Sequence, residues 1–205
     1  MDEPRSRFVD LAFTLQGNSL PRDHRQALAA ALLQALPWLG SVPGAGVHRL
    51  NVSAGGGAHA LLSQRTRLTL RLPRAHADAA LALVGQTLPV AGSPLRLGGA
   101  QARELLPWST LYAHLVVAAD DEADEGVFLQ AVQAELAALG VSGRAICGRH
   151  QATEGGTLQG YGLMLDHLSP TDALQLMEAG LGPRRLWGCG VFVPHKSAAA
   201  VGAPH

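Results

Sequence analysis

The stretch GLGPRRLWGCGVFVPHK, residues 180–196, is the most informative part of this chain. Four glycines and the adjacent Arg184 and Arg185 lie between a helical pattern and a strand-like Val-Phe-Val run. Glycine lets a backbone pass close to a ligand because it has no side chain, and arginine pairs well with phosphate. The stretch therefore predicts a glycine-rich loop that follows a phosphate chain. A helix C-cap followed by a tight turn needs the same glycines, so this alternative stays open from the loop alone.

Composition is that of a globular protein. The 205 residues are enough for one large domain or two small ones, and 47% of them are hydrophobic. No apolar run approaches the roughly 20 residues that a membrane helix needs, and the N-terminus lacks a signal-peptide pattern. We expect a cytoplasmic protein with no membrane partner. Cys147 and Cys189 have no CxxC or Cys/His ligand spacing, which predicts buried thiols and no metal or other cofactor.

The charges cancel overall but are unevenly distributed. The 16 basic and 16 acidic residues give a net charge of zero, which argues against a general nucleic-acid binder. Arginines nevertheless cluster at 65–67, 71–74, 144–149 and 184–185. The acidic run at 120–125 is typical of a solvated loop that leads into the N-terminus of a helix.

The predicted elements repeat in the two halves of the chain. Periodicity in the first half predicts a strand, a helix, two strands, a helix and an extended segment at 8–15, 21–36, 47–52, 66–72, 75–84 and 87–97. The second half gives the same order at 111–118, 127–139, 144–150, 158–165, 170–179 and 191–193, with Ser169 capping the last helix.

This order predicts an α+β fold of two tandem ferredoxin-like domains, each a split βαβ unit with an antiparallel sheet and helices on one face. We expect an N-terminal domain over residues 1–98 and a C-terminal domain with the glycine-rich loop over 108–196. The linker is predicted at about 98–107, and the Ala/Gly-rich tail 197–205 is predicted to be disordered.

Several stretches resemble the repeat-processing endoribonucleases of the RAMP superfamily of CRISPR proteins, specifically their small myxobacterial-type branch. The matching stretches are LPRDH at 20–24, LPWL at 36–39, GVH at 46–48, RLTLRLP at 67–73 and GCGVFVP at 188–194. The likeness runs nearly from end to end. Its most specific part is the C-terminal glycine-rich segment.

The resemblance implies a protein that binds a stem-loop in the transcribed CRISPR repeat, cuts it once at the base without metal, and retains the product. In such a reaction a ribose 2′-hydroxyl attacks the adjacent phosphate. One group removes the hydroxyl proton, another protonates the leaving 5′-oxygen, and cations or amide donors stabilise the phosphorane. The RNA-binding residues predicted on this basis are Gly180, Gly182, Arg184, Arg185, Gly188, Gly190, Arg67, Arg71 and Lys196.

His24 and His48 are the predicted catalytic residues. The resemblance places the catalytic histidine near the start of the first helix, where His24 lies, and the helix dipole there favours the neutral imidazole of a general base. A solvent-facing histidine beside a capping acid, or a packing histidine for His48, is the structural alternative. His114 alternates with apolar residues on a predicted strand, so it is either a polar residue of the sheet face or part of the core.

Two departures from the family pattern favour a second hypothesis. Many relatives carry a histidine where this chain has Gly40, and a tyrosine near the helix start where it has Gln26. The chain is then a non-catalytic subunit that holds a repeat stem in a CRISPR effector or transposition complex with other subunits. A third hypothesis is a ferredoxin-like assembly or small-molecule domain without an RNA partner. Neutral net charge supports it, but it explains the arginine-flanked glycine loop least well.

Overall fold

A computed structural model describes residues 5–54, 57–118 and 124–196. Its strands and α-helices, in chain order, are β1 Phe8–Gln16, β2 Ser19–Pro21, α1 Arg25–Ala35, β3 Gly46–Val47, β4 Ser53–Ala54, β5 His59–Leu61, β6 Arg67–Pro73, α2 Ala77–Ala80, β7 Thr87–Val90, β8 Ser93–Glu104, β9 Leu111–Val117, α3 Glu125–Leu139, β10 Arg144–Thr153, β11 Leu158–Asp166, α4 Pro170–Ala179 and β12 Val193–Pro194. Short 3₁₀ turns occupy Pro37–Ser41, Arg74–His76, Leu81–Leu83, Glu154–Gly156 and Arg185–Trp187.

Each half of the chain forms one ferredoxin-like sheet. The N-terminal sheet has the strand order β3-β6-β1-β8-β7, and the C-terminal sheet has the order β10-β11-β9-β12. In the N-terminal sheet β6 lies between β3 and β1, and β8 pairs with β1 on its other side. In the C-terminal sheet β11 lies between β10 and β9, and β12 pairs with β9 on its other side. A small third sheet, β2-β5-β4, flanks the start of α1. The predicted α+β fold with two tandem ferredoxin-like domains is confirmed.

Period-two alternation in the strands builds the N-terminal core. Leu11 and Phe13 of β1 pair with Leu70 and Leu68 of β6, so one face of the sheet carries apolar side chains. Leu32 of α1 packs against that face. The C-terminal core is built in the same way from β9, β11, α3 and α4. The helices therefore lie on one face of each sheet.

The opposite face of the N-terminal sheet carries a buried ion pair between Arg71 and Asp10. Arg71 is fully buried, and its Nε and Nη2 donate to the two carboxylate oxygens of Asp10 at 2.8 and 2.9 Å. Its Nη1 donates to the carbonyls of Met177, at 3.2 Å, and Phe192, at 2.6 Å, in the C-terminal domain. The prediction that Arg71 contacts RNA is wrong, because its guanidinium is buried and bonded inside the protein.

The start of α1 differs from the prediction. The helix begins at Arg25 rather than at residue 21, because residues Ser19–Pro21 instead form β2 and pair with β5. His24 is consequently the N-cap of α1. The predicted helix at 75–84 is also shorter, since only Ala77–Ala80 is α-helical between two 3₁₀ turns.

The domain boundary also differs from the prediction. β8 continues to Glu104, which pairs with Val9 of β1, so residues 98–104 belong to the N-terminal sheet. The connection between β8 and β9 is then only residues 105–110. The predicted linker at 98–107 missed this strand extension because residues 101–104 are exposed and carry no alternating apolar pattern. The predicted tail at 197–205 and most of the acidic run lie outside the described residues.

We predict that Arg71→Ala lowers the free energy of unfolding by about 3–5 kcal/mol, since it leaves Asp10 and two carbonyls without their donor. Arg103→Ala is the matched control, because Arg103 faces Asp10 across the neighbouring strand pair but is exposed. Urea unfolding of the two variants measures the difference. An Arg71 variant as stable as the Arg103 variant would contradict the structural role of the buried pair.

Candidate active site

A cavity of about 390 Å³ opens between the two domains beside the start of α1. It combines the beginning of the first helix, the segment around β3 and β4, and three parts of the C-terminal domain. Its polar lining includes three histidines and three arginines. The charged and polar residues that line it are Arg22, Asp23, His24, Arg25, His48, Arg49, Ser53, His114, Gln151 and Thr153.

His24 is held in one orientation and one tautomer. The ring Nδ1 lies 2.7 Å from the carbonyl oxygen of Pro21. A carbonyl only accepts hydrogen bonds, so Nδ1 carries the proton and Nε2 of the neutral ring is a proton acceptor. Burial lowers the pKa of His24 below its usual 6.5, against the opposing effect of the bond to Pro21. His24 therefore meets the requirements of a general base near neutral pH.

His48 is tied to the buried ion pair. Its Nε2 lies 3.1 Å from Oδ1 of Asp10, off the direction of the ring N–H, so the contact is electrostatic rather than a well-aligned hydrogen bond. Burial lowers the pKa of His48. Burial alone would raise the pKa of the Asp10 carboxyl, but His48 and Arg71 outweigh this effect and hold it well below its usual range. His48 thus lines the cavity but also belongs to the internal charge network.

His114 comes to the same cavity from β9 of the other domain. Burial, with Arg49 and Arg25 nearby, lowers the pKa of His114 to about 4, so the ring is neutral at pH 7. The sequence left the role of His114 open, and it gave no signal for Arg25 and Arg49. Alternation along the strand was the only sign that could have assigned His114 to the polar face of the sheet.

The glycine-rich segment lies against the cavity, but its glycine amides are bonded inside the protein. The amides of Gly180, Gly188 and Gly190 donate to the carbonyls of Leu176, Arg185 and Leu115. The amide of Gly182 donates to the carboxylate of Glu135 at 2.8 Å. Each of these four amides therefore has a partner inside the protein, and the idea that the glycines let the loop follow a phosphate chain stays a prediction. The glycines permit positive φ angles and close packing.

The two adjacent arginines have different environments. Arg185 points inward, and its guanidinium donates to the carbonyls of Gly44 at 2.8 Å and of Glu178 and Gly190 at 3.3 Å. It joins the loop to the N-terminal domain, which corrects its prediction as an RNA contact. Arg184 is exposed and lies 4.7 Å from the ring centroid of Trp187.

Arg184 and Trp187 line a second cavity, of about 290 Å³, together with Gly40. A side chain added at Gly40 would come within 3.1 Å of Leu33 Cδ2. Gln26 is exposed in the first turn of α1. The position at which the resemblance expects a histidine thus borders the second cavity and carries no side chain.

The remaining predicted RNA-binding residues do not line the 390 Å³ cavity. Nη1 of Arg67 donates to the carbonyls of Gln64 and Thr66 at 2.7 and 2.9 Å. Lys196 is exposed, two residues beyond β12. The structure therefore groups His24 and His48 with His114 and Arg49, and it leaves Arg67 and Lys196 apart from them.

Metal clusters and membrane-spanning helices are absent from the described part of the chain. Within residues 5–54, 57–118 and 124–196, no three His, Cys, Asp or Glu side chains are grouped so that they could hold a metal ion. None of the helices in these ranges is both long and apolar enough to cross a membrane. Cys189 is buried and Cys147 is partly exposed, and both are free thiols.

Known proteins resemble the chain over nearly its whole length. The family model described as Cas6 Crispr matches residues 9–197. The chain is 36% identical over 196 residues to the CRISPR-associated endonuclease Cas6 of Myxococcus xanthus (strain DK1622), which covers 95% of this chain and 84% of that protein.

Two solved structures share the fold at low sequence identity. The structure of a CRISPR associated protein Cas6 has a TM-score of 0.66 and 10% identity, over 92% of this chain and 100% of its own. The Cas6-related protein from Pyrococcus furiosus has a TM-score of 0.62 and 12% identity, over 91% of this chain and 98% of its own. Both agree with the tandem ferredoxin-like architecture.

We predict that Gly190→Ala destabilises the protein more than Gly92→Ala. Both glycines have positive φ, at 63° and 81°, so each substitution costs about 1–2 kcal/mol in backbone strain. A methyl group at Gly190 would also meet the carbonyl oxygen of Leu181 at 1.8 Å, whereas nothing lies within 4 Å at Gly92. Thermal unfolding compares them, and equal losses would show that the loop at Gly190 has room to relax.

Proposed function

The chain belongs to the Cas6 family of CRISPR proteins, and on that premise we propose that it is an endoribonuclease that cleaves the repeat stem-loop of precursor CRISPR RNA. The observation that carries the proposal is His24, fixed by Pro21 in a neutral form on the wall of a cavity that contains arginines from the N-terminal domain. The endonuclease named in Myxococcus xanthus, at 36% identity, supports the reaction class.

We propose a metal-independent reaction in which the RNA supplies its own nucleophile. Nε2 of His24 removes the proton of a ribose 2′-hydroxyl, and the hydroxyl oxygen attacks the adjacent phosphorus. The P–O5′ bond breaks as the new P–O2′ bond forms, which leaves a 2′,3′-cyclic phosphate and a 5′-hydroxyl. His48, also on this cavity, is the candidate that protonates the leaving oxygen. The Asp10 carboxylate beside it favours the protonated ring, although burial has the larger effect and lowers the pKa of His48.

Arginine side chains of the two cavities supply the positive charge. Arg49 is exposed on the wall of the larger cavity, and its positive charge helps to lower the pKa of His114, which lines the same cavity. Arg184 is exposed on the wall of the smaller one, where the ring of Trp187 supports its orientation. A guanidinium binds two phosphate oxygens at once, so these residues suit the backbone on either side of the cut. Continued contacts of this kind after cleavage would retain the product.

RNA binding without cleavage is the second candidate function. Gly40 favours it, because the second cavity, which Arg184 and Trp187 also line, has no imidazole at that position. In that role the chain would hold a repeat stem within a complex of other CRISPR subunits. The two candidates differ in whether the His24 cavity performs chemistry.

We predict that His24→Ala lowers the single-turnover cleavage rate by about 100-fold or more and leaves repeat affinity within a few-fold, as expected for an acid–base residue. Cleavage is measured on a labelled repeat hairpin, with His48→Ala as the companion variant. Wild-type cutting should persist in a chelator and stop when a single 2′-deoxy nucleotide precedes the scissile phosphate. Cutting that needs magnesium, or that tolerates the 2′-deoxy substitution, would exclude this mechanism.

We also predict different effects for the two adjacent arginines. Arg184→Ala should weaken repeat binding and reduce the slope of log affinity against log salt by about one unit, because one phosphate contact is lost. Arg185→Ala should instead lower thermal stability, because it removes donors from three carbonyls. Salt titrations and melting curves of both variants make the comparison. A normal salt slope in Arg184→Ala would remove Arg184 from the RNA interface.

A further inference from the structure

The turn between β10 and β11 meets the start of α1 through two carboxylates. Asp23, just before the helix, accepts hydrogen bonds from the backbone amides of Glu154 and Gly155, each at 3.0 Å. Oγ1 of Thr153 lies 3.4 Å from the same carboxylate. Glu154 and Gly155 have positive φ, at 54° and 64°, so the turn directs consecutive amides toward Asp23.

Glu154 in turn binds backbone amides at the start of α1. Its Oε1 accepts from the backbone amide of Arg25 at 2.8 Å, and its Oε2 lies 3.4 Å from the amide of Gln26. The first amides of a helix have no partner within the helix and need a cap. The N-cap residue His24 makes no side-chain capping bond to them. The cap of α1 is therefore supplied by a residue 129 positions away, in the other domain.

We propose that Asp23 and Glu154 form a reciprocal clamp between the domains, and that Glu154 is a positioning residue that holds His24 in its reactive orientation. The inference rests on the proposed function. His24 immediately precedes the two amides that Glu154 binds, so a displacement of the carboxylate moves the start of α1 and the imidazole with it. Small displacements of a reacting group cost rate steeply, about 100-fold for 1 Å.

Glu154 also affects the charge state of His24. Its carboxylate raises the pKa of the imidazole, whereas burial, the largest cause, and Arg25 lower it. Removal of the negative charge should therefore lower the pKa of His24 further and move the corresponding limb of the pH–rate profile to lower pH. The charged and titratable groups around His24 are Arg22, Asp23 and Arg25 at the helix start, His48 and Arg49 after β3, His114 of β9 and Glu154 of the turn.

The alternative role for Glu154 is competition with RNA. The positive end of a helix attracts anions, so Glu154 would compete with an RNA phosphate for the start of α1. Loss of the carboxylate would then tighten RNA binding and speed cleavage. The clamp predicts the opposite change in rate, so the two roles are separable.

Four variants test the clamp. Glu154→Ala removes the cap, Glu154→Gln keeps an acceptor but removes the charge, and Asp23→Asn weakens the return contact. Glu104→Gln is the matched control, because Glu104 pairs with Arg74 on the surface and does not line the cavity. Three quantities are measured for each: the affinity for a repeat hairpin with a 2′-deoxy nucleotide at the cut site, the single-turnover cleavage rate against pH, and the pKa of His24 by NMR titration of its imidazole.

We expect Glu154→Ala to lower the cleavage rate by about 10-fold or more while affinity changes by less than about 3-fold, since positioning acts on the reacting groups. Glu154→Gln should lower the pKa of His24 and shift the pH–rate profile with it, and Asp23→Asn should fall between the wild type and Glu154→Ala in rate. Glu104→Gln should match the wild type in all three measurements.

Faster cleavage with tighter binding in Glu154→Gln would overturn the clamp in favour of competition with RNA. Equal losses of affinity and rate with an unchanged pKa of His24 would reduce Glu154 to a general structural contact. If the wild type binds the hairpin but does not cut it, the proposed function fails while the NMR titration still judges the clamp. An unchanged His24 pKa in Glu154→Gln would then overturn the clamp as well.

Discussion

The buried guanidinium of Arg71 is the contact on which the rest of the structure depends. It forms an ion pair with Asp10 on the N-terminal sheet and at the same time donates to two carbonyls of the C-terminal domain. A fully buried charge is tolerated only when nearly all its donors are satisfied, so the two domains must meet in a way that brings these acceptors together. Arg185 makes the reciprocal connection, from the C-terminal loop to the carbonyl of Gly44. The cavity with His24 is a consequence of this docking.

The residues of the candidate site therefore belong to the interface and not to either domain alone. His24 and His48 come from the N-terminal domain, whereas His114 and the turn with Glu154 come from the C-terminal domain. The charge balance around the cavity follows from the same arrangement. Burial lowers the pKa of the histidines, while the Asp10 and Glu154 carboxylates oppose this effect at His48 and His24 respectively. The proposed reaction, with one proton acceptor and one proton donor, therefore relies on Asp10 to favour the protonated form of His48.

Local sequence patterns predicted the fold well, because capping residues and alternating apolar residues mark the helices and strands of each ferredoxin-like unit. Ser169 caps the helix that starts at Pro170, and alternating leucines define the inner face of β6. The failures have a common cause. Arg71 alternates with leucines in β6, which predicts a solvent-facing side chain, and nothing near it in the chain indicates that another domain covers that face. For the same reason the sequence did not show Glu154 as the cap of α1 or the bond of Arg185 to Gly44, since both contacts join residues more than 100 positions apart. His24 was predicted as a site residue from its place near the start of the first helix, although its catalytic role stays a prediction.

The most direct measurement is a structure of the protein with a repeat hairpin that carries a 2′-deoxy nucleotide at the cut site. We expect the scissile phosphate to occupy the cavity between the domains, with Nε2 of His24 within about 3.5 Å of the position that the 2′-oxygen would occupy in the ribonucleotide. The backbone on one side of the cut should pass Arg184. A complex in which the RNA lies elsewhere on the protein, with no phosphate in the cavity of His24, would contradict the proposed role of this cavity.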